Sequence, residues 1–166
     1  MRKSNWLLST IILAITLAML FFAISCQKQD TEVDIAAIKE TLNKLGVAYN
    51  TGDFDSWISL WADDGVQMIQ DTPARRGKAQ IHEAMKPLFD QLIVDINITS
   101  IEDVEVHGDL GLIHCNLTFA VTPKAGGETI NVMPDGKALV LFERQTDGSW
   151  KIVYDCFNSN VPPIVE

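Results

Sequence analysis

Apolar residues recur at Ile35, Ile38, Leu42, Leu45 and Tyr49, alternately three and four apart, which marks one face of an α-helix. Asp34 is placed to cap its start, and Gly52 to stop it in a left-handed turn. Asp53 can cap a second, short helix over Phe54 to Trp61, with Phe54, Trp57, Ile58 and Trp61 as its stripe. Asp63-Asp64-Gly65 reads as a turn, Val66 to Gln70 as a short strand and Thr72 to Gly77 as a loop. A third helix is predicted from Lys78, with Ile81, Met85, Leu88 and Leu92 inward. Pro87 should end or kink it, because proline lacks the N–H and crowds the preceding turn.

From Ile93 the period falls to two. Val94, Ile96 and Ile98 alternate with polar residues, and Val104 and Val106 resume the series. Gly108-Asp109 turns the chain into a strand from Leu110 to Thr122, and Pro123 to Gly127 is a loop. Extended segments then cover Glu128 to Met133 and Lys137 to Arg144, parted by Pro134-Asp135-Gly136. Asp147-Gly148 leads into a last strand, Trp150 to Asn158. Helices first and an antiparallel meander after them predict an α+β fold, with helices covering one face of a curved sheet. In such a meander the 137–144 strand separates Cys115 from Cys156. Two strand spacings are roughly 9.5 Å, beyond the limit of about 7 Å for a disulfide, so two free, buried thiols are expected.

The first residues stand outside this pattern. Arg2 and Lys3 precede an uncharged apolar run, Trp6 to Ile24, which ends Ala23-Ile24-Ser25-Cys26. This looks like a bacterial lipoprotein signal: residues 1–25 a cleaved peptide, Cys26 the lipidated (palmitate-bearing) new terminus, and 26–33 a polar tether. The competing reading is an uncleaved anchor, since about 20 apolar residues can span a bilayer. Both readings tie the domain, residues 34–160 with a 161–166 tail, to a membrane of the bacterial cell envelope outside the cytoplasm. Gln27 stands where some inner-membrane lipoproteins carry Asp, a lean toward the outer membrane. The formal charge is −9, and −11 once Arg2 and Lys3 are removed, which argues against a nucleic-acid partner. The basic pair Arg75-Arg76 reads as a solvated turn.

No metal site is expected, because His82, His107 and His114 are scattered without Cys or carboxylates at ligand spacing. No glycine-rich phosphate loop or nucleophile elbow appears, and no cofactor is expected. Asp155 is the conspicuous polar residue. It lies between Val153 and Phe157, and strict alternation puts it opposite Trp150, Ile152 and Tyr154. A carboxylate among apolar neighbours is costly unless paired or wet, so it marks a cavity or a salt bridge.

The segments GDFDSWISLWADDG, RRGKAQIHEAM, VEVHGD and DGSWKIVYD, in this order, resemble the nuclear transport factor 2-like superfamily, and within it the SnoaL-like relatives of ketosteroid isomerase. The resemblance covers about residues 34 to 158. It implies a cone-shaped half-barrel with a pocket between helices and sheet, and a homodimer through the sheet's outer face. It does not imply one activity. Ketosteroid isomerase uses an Asp base, and a Tyr with a protonated Asp to hold the enolate oxygen. Those roles fall here on Leu45 for the tyrosine and Ile69 for the base, with Val140 or Asp135 for the second acid. The usual Tyr/Asp/Asp mechanism is therefore not expected.

Candidate pocket residues are Tyr49, Gln67, His114, Asn116 and Asp155, with Asn158 and Ser159 near the mouth. For Tyr49 the plain alternative is a packed core ring. His114 would face Asp103 across the Gly108-Asp109 turn, a plausible general base beside a carboxylate. The two guides disagree on its side of the strand. The family register turns His114 and Asn116 into the pocket, and we follow it. Hydrophobicity instead turns Ile113, Cys115, Leu117, Phe119 and Val121 inward. Two functions are expected to compete: a tethered lipoprotein binding a small, mostly apolar or amphipathic molecule, or an isomerase, hydratase or cyclase using His114 or Asp155 as acid–base.

Overall fold

The computed structural model describes residues 31–162, so the signal, Cys26 and the start of the tether lie outside the described residues. The chain divides into two units, Met1–Asp34 and Ile35–Glu166. Of the first, residues 31–34 are helical, so Asp34 sits within helical structure rather than capping it. No helix among the described residues is long and apolar enough to cross a membrane.

The second unit opens with helix α1, residues 35–51, which buries Ile38, Leu42, Leu45 and Tyr49. Gly52, at φ +69°, ends it as expected. Asp53 then accepts from the Ser56 amide at 3.0 Å and caps α2, Phe54–Ser59. Here the structure departs from the expected elements. Trp61 is the first residue of strand β1, Trp61–Ile69, rather than the end of a helix, and the expected Asp63–Gly65 turn is an irregularity inside that strand. A two-residue strand β2, Arg75–Arg76, pairs with β1 and leads to α3, Lys78–Gln91. Pro87 does not end α3. Pro87 and Glu83, whose carbonyl loses its helical partner, are both exposed, where water can take the bond. The inward residues are Ile81, Met85 and Phe89, because Leu92 already belongs to the next strand.

Strands β3 (Leu92–His107), β4 (Leu110–Pro123), β5 (Ile130–Arg144) and β6 (Trp150–Ser159) form an antiparallel meander. The sheet order is β2-β1-β6-β5-β4-β3, and β1 with β6 is its parallel pair. The result is α+β, with helices on one face of a curved, unclosed sheet. Strand β5 runs through Pro134–Gly136 as one irregular strand, against the two segments expected. Gly111 lets α1 lie close on β4, since a Cβ there would stand 2.2 Å from Ile38 Cδ1.

One irregularity matters more than the rest. The β5–β6 register passes from Leu141↔Tyr154 to Phe142↔Ile152, so Val153 is an extra residue in β6. Such a bulge reverses the alternation beyond it. Asp155 therefore shares the inner face with Trp150 and Ile152, not the opposite face that strict alternation gives.

Cys115 and Cys156 are free and lie on β4 and β6 with β5 between them, as expected. Cys115 is buried, but Cys156 is only half-buried, a correction to the expectation of two buried thiols. Burial, and then the Asp155 charge, push the Cys115 thiol up to about 11. Maleimide labelling of the native protein should therefore modify Cys156 well before Cys115. Equal labelling rates would contradict the assigned faces.

Candidate functional site

Helix α1 lays Leu42, Leu45 and Tyr49 over the inner face of the sheet. Among the described residues, an inner hollow of ≈ 30 Å³ lies there, walled by these three with Ile96, Cys115, Phe119, Val140, Asp155 and Phe157. An outer hollow of ≈ 320 Å³ shares Tyr49, Phe119 and Phe157 with it, and adds Ile69, Met85 and Met133 with a polar rim of Gln70, Asp71 and Ser159. The outer volume falls within the range of about 300–1,000 Å³ typical of small-molecule sites.

Asp155 is the polar group of the inner hollow apart from Tyr49. It is 5 % exposed and makes no side-chain hydrogen bond or ion pair with any described residue. Burial alone pushes its carboxyl up to about 7. Its cross-strand neighbours are Val140 on β5 and Gln67 on β1. Gln67 is wholly buried. Its Oε1 accepts from Arg75 Nη1 at 2.6 Å, and its Nε2 has no partner. Tyr49 is clamped by the rings of Trp57 and Phe89, each 5.3 Å away between centroids. Its hydroxyl is pushed well above the usual tyrosine range, first by burial and then by the Asp155 charge, with Trp57, Arg75 and Gln67 acting the other way. The indole N–H of Trp57 is near enough to that hydroxyl to act on it, yet makes no well-formed hydrogen bond among the described residues.

Tyr49, Gln67 and Asp155 are thus brought together, but only Tyr49 and Asp155 line the hollows, and Gln67, expected in the pocket, is buried behind them. His114 and Asn116 do not join them. Cys115, between them, lines the inner hollow, so both lie on the sheet's outer face, and the expectation that they line the pocket is corrected. Hydrophobicity decides the orientation: Ile113, Cys115, Leu117, Phe119 and Val121 are buried. His114 does pair in register with Asp103, but on that outer face. Asn116 Nδ2 donates to Ser100 Oγ at 3.0 Å and Glu102 Oε1 at 2.8 Å. Ser159 does line the outer hollow.

The isomerase trio stays empty. Leu45 and Val140 line the inner hollow and Ile69 the outer one, while Asp135 is exposed and accepts from Asn160 Nδ2 at 2.9 Å. No group of three metal-ligating side chains occurs among the described residues. Arg75 was missed by sequence reasoning. The basic pair reads as a solvated turn, yet the Arg75 guanidinium turns inward to Gln67 and to Met85 Sδ, the latter at 2.9 Å. The signal was present only as its pairing opposite Gln67 in the short β2 strand.

The SnoaL-like domain family matches residues 44–153, two-thirds of the chain. Among solved structures, a ketosteroid isomerase-like protein from Erwinia carotovora atroseptica is similar at 25% identity, with 78% of this chain and 98% of that one covered and a TM-score of 0.68. A nuclear transport factor 2-like protein with a cystatin-like fold from Novosphingobium aromaticivorans is 17% identical over 86% of this chain and 90% of that one, TM-score 0.66. A nuclear transport factor 2-like superfamily protein from Salmonella enterica is 15% identical over 75% and 89%, TM-score 0.66, a likeness of fold. No curated protein matches the chain.

Proposed function

The chain belongs to the SnoaL-like domain family, and we propose that its domain holds a small, mostly apolar molecule between helices and sheet, with Asp155 and Tyr49 as polar contacts. The observation that carries this reading is Asp155 itself, a buried carboxyl with no side-chain partner among the described residues, on the wall of a hollow otherwise apolar but for Tyr49. Burying an unpaired polar group costs roughly 1–3 kcal/mol, more when charged. A ligand atom that bonds the carboxyl would offset that cost. Native mass spectrometry of the purified protein is the test: a co-purified small molecule is expected, and it should be lost in Asp155→Leu. A protein that stays empty, in a solution containing its host's lipid and metabolite extract, would sink the proposal.

A second reading is an enzyme of the isomerase, hydratase or cyclase type with Asp155 as its acid–base. It draws on one observation. A carboxyl at about 7 can both take and give a proton near neutral pH. His114 drops out as its helper because the two residues face opposite sides of the sheet.

The setting is part of the same proposal. Cys26 carries a lipid anchor outside the cytoplasm, on the outer rather than the inner membrane, and two copies meet through the sheet's outer face. The anchor is supported by the Ala23-Ile24-Ser25-Cys26 ending, and the dimer by Leu139 and Tyr154, 47% and 44% exposed on that face. Radiolabelled palmitate should enter the protein and not its Cys26→Ser variant.

A further inference from the structure

Arg75 and Met85 point to the chemistry of the ligand. The guanidinium forms no ion pair with any described carboxylate, in a chain of net charge −9. Its Nη1 bonds Gln67 Oε1 and the thioether sulfur of Met85. A thioether is a weak acceptor, a poor match for a charged donor whose preferred partner is a carboxylate oxygen held by paired N–H bonds. Met85 also lines the outer hollow while its partner Arg75 does not, so the methionine separates the cation from the space a ligand would fill. Methionine, unbranched and with three rotatable bonds, gives way easily. Beside it, Gln67 is locked by Arg75 with its carbonyl toward the guanidinium, which leaves the buried amide Nε2, near the Tyr49 hydroxyl, without a well-formed hydrogen bond among the described residues. Arg75 and Gln67 line neither hollow, so their donors stand behind Met85, at the wall of the outer hollow. Asp155, the cross-strand neighbour of Gln67, lines the inner hollow that Met85 does not touch.

We propose that the outer hollow takes an apolar monocarboxylate, whose carboxylate displaces the Met85 sulfur from Arg75 and accepts from Gln67 Nε2. This rests on the small-molecule reading above and adds the charge and the acceptor chemistry of the ligand. It excludes apolar amines, which would bring a cation up to Arg75. Arg75 is then the residue that sets specificity.

The test uses the full-length chain in lipid nanodiscs with ¹³C-methyl methionine, titrated separately with 3-phenylpropionate, 3-phenylpropanol and 3-phenylpropylamine. These probes share one apolar body and differ in the polar end. The Met85 and Met133 methyl signals report occupancy of the outer hollow. The acid is expected to move the Met85 signal and to bind about tenfold tighter than the alcohol, the worth of one charge-assisted hydrogen bond. In Arg75→Gln that advantage should vanish while the affinity for the alcohol stays. An alcohol or amine that binds as tightly as the acid overturns the proposal, as does an acid preference that survives in Arg75→Gln. In both cases the hollow is still filled and the small-molecule reading stands. Silence from all three probes removes the inference and that reading together. Should Arg75→Gln fail to fold, the ranking of the probes on the unaltered protein decides alone.

Discussion

Asp155→Asn should make the protein more stable at pH 8 and change it little at pH 4. The sign follows from linkage. In the unfolded chain the carboxyl ionises near 3.9, and in the folded protein burial holds it up to about 7. Between these values the unfolded state sheds a proton that the native state keeps, so rising pH favours unfolding until the native carboxyl ionises too. The penalty is absent below about pH 4 and complete above about pH 7. At 1.36 kcal/mol per unit it reaches about 4 kcal/mol. Asparagine carries no such charge, although its own buried amide takes back part of the gain, so about 2–4 kcal/mol is expected at pH 8. Urea unfolding at pH 4, 6 and 8 measures it. An Asp155→Asn protein whose stability runs parallel to the parent's across this range would mean the carboxyl is wet or paired in solution. A residue that weakens its own fold is one whose use lies elsewhere.

The largest loss is expected at Trp57. Its side chain is wholly buried, and its ring packs within 6.0 Å, between centroids, of Tyr49, Phe54, Trp61 and Phe89. Trp57→Ala removes the shared neighbour of four aromatic rings and should cost about 3–5 kcal/mol, because the surrounding helices and sheet cannot collapse fully into the space. Trp57→Phe is the informative companion. The indole N–H makes no well-formed hydrogen bond among the described residues, so phenylalanine forfeits mainly volume and should cost about 1–2 kcal/mol. Thermal unfolding of both variants would show the gap. Equal losses would mean that the N–H is bonded after all, through water or the Tyr49 hydroxyl. Because Tyr49 leans on this ring, Trp57→Ala should also loosen the wall of both hollows.

Much of this was readable from spacing. The stripe from Ile38 to Tyr49, the Asp53 cap and the long alternation of β4 each follow from period and turn chemistry, and they set the layers. The inward side of β4 was readable too. Five apolar residues on one side outweigh a family register that turned His114 inward, since burial is a sum over the whole strand rather than a property of one position. Asp155 was picked out for the right reason, a carboxyl among apolar neighbours, but its face was not. One extra residue at Val153 reverses the alternation, and no local signal in Ile152-Val153-Tyr154 announces it. Arg75 was hidden for a related reason. A basic pair on a short loop looks solvated until the loop is known to pair with β1. The site depends on register between strands, and register is a non-local quantity.

The parallel pairing of β1 with β6 has a further consequence, for the order in which the protein is built. Strands β3 to β6 can zip up from neighbouring turns as the chain emerges, and such short-range closures are fast. Gln67 and Asp155, by contrast, face each other across 88 residues, and their strands meet only when the last strand arrives. Until then the amide, the carboxyl and the edge of β1 are open to water and to other chains. The cavity is thus the final piece of the domain to exist, completed by β6, the last strand among the described residues. A chain cut short before Trp150 would keep its β3–β4 and β4–β5 hairpins and lose its site.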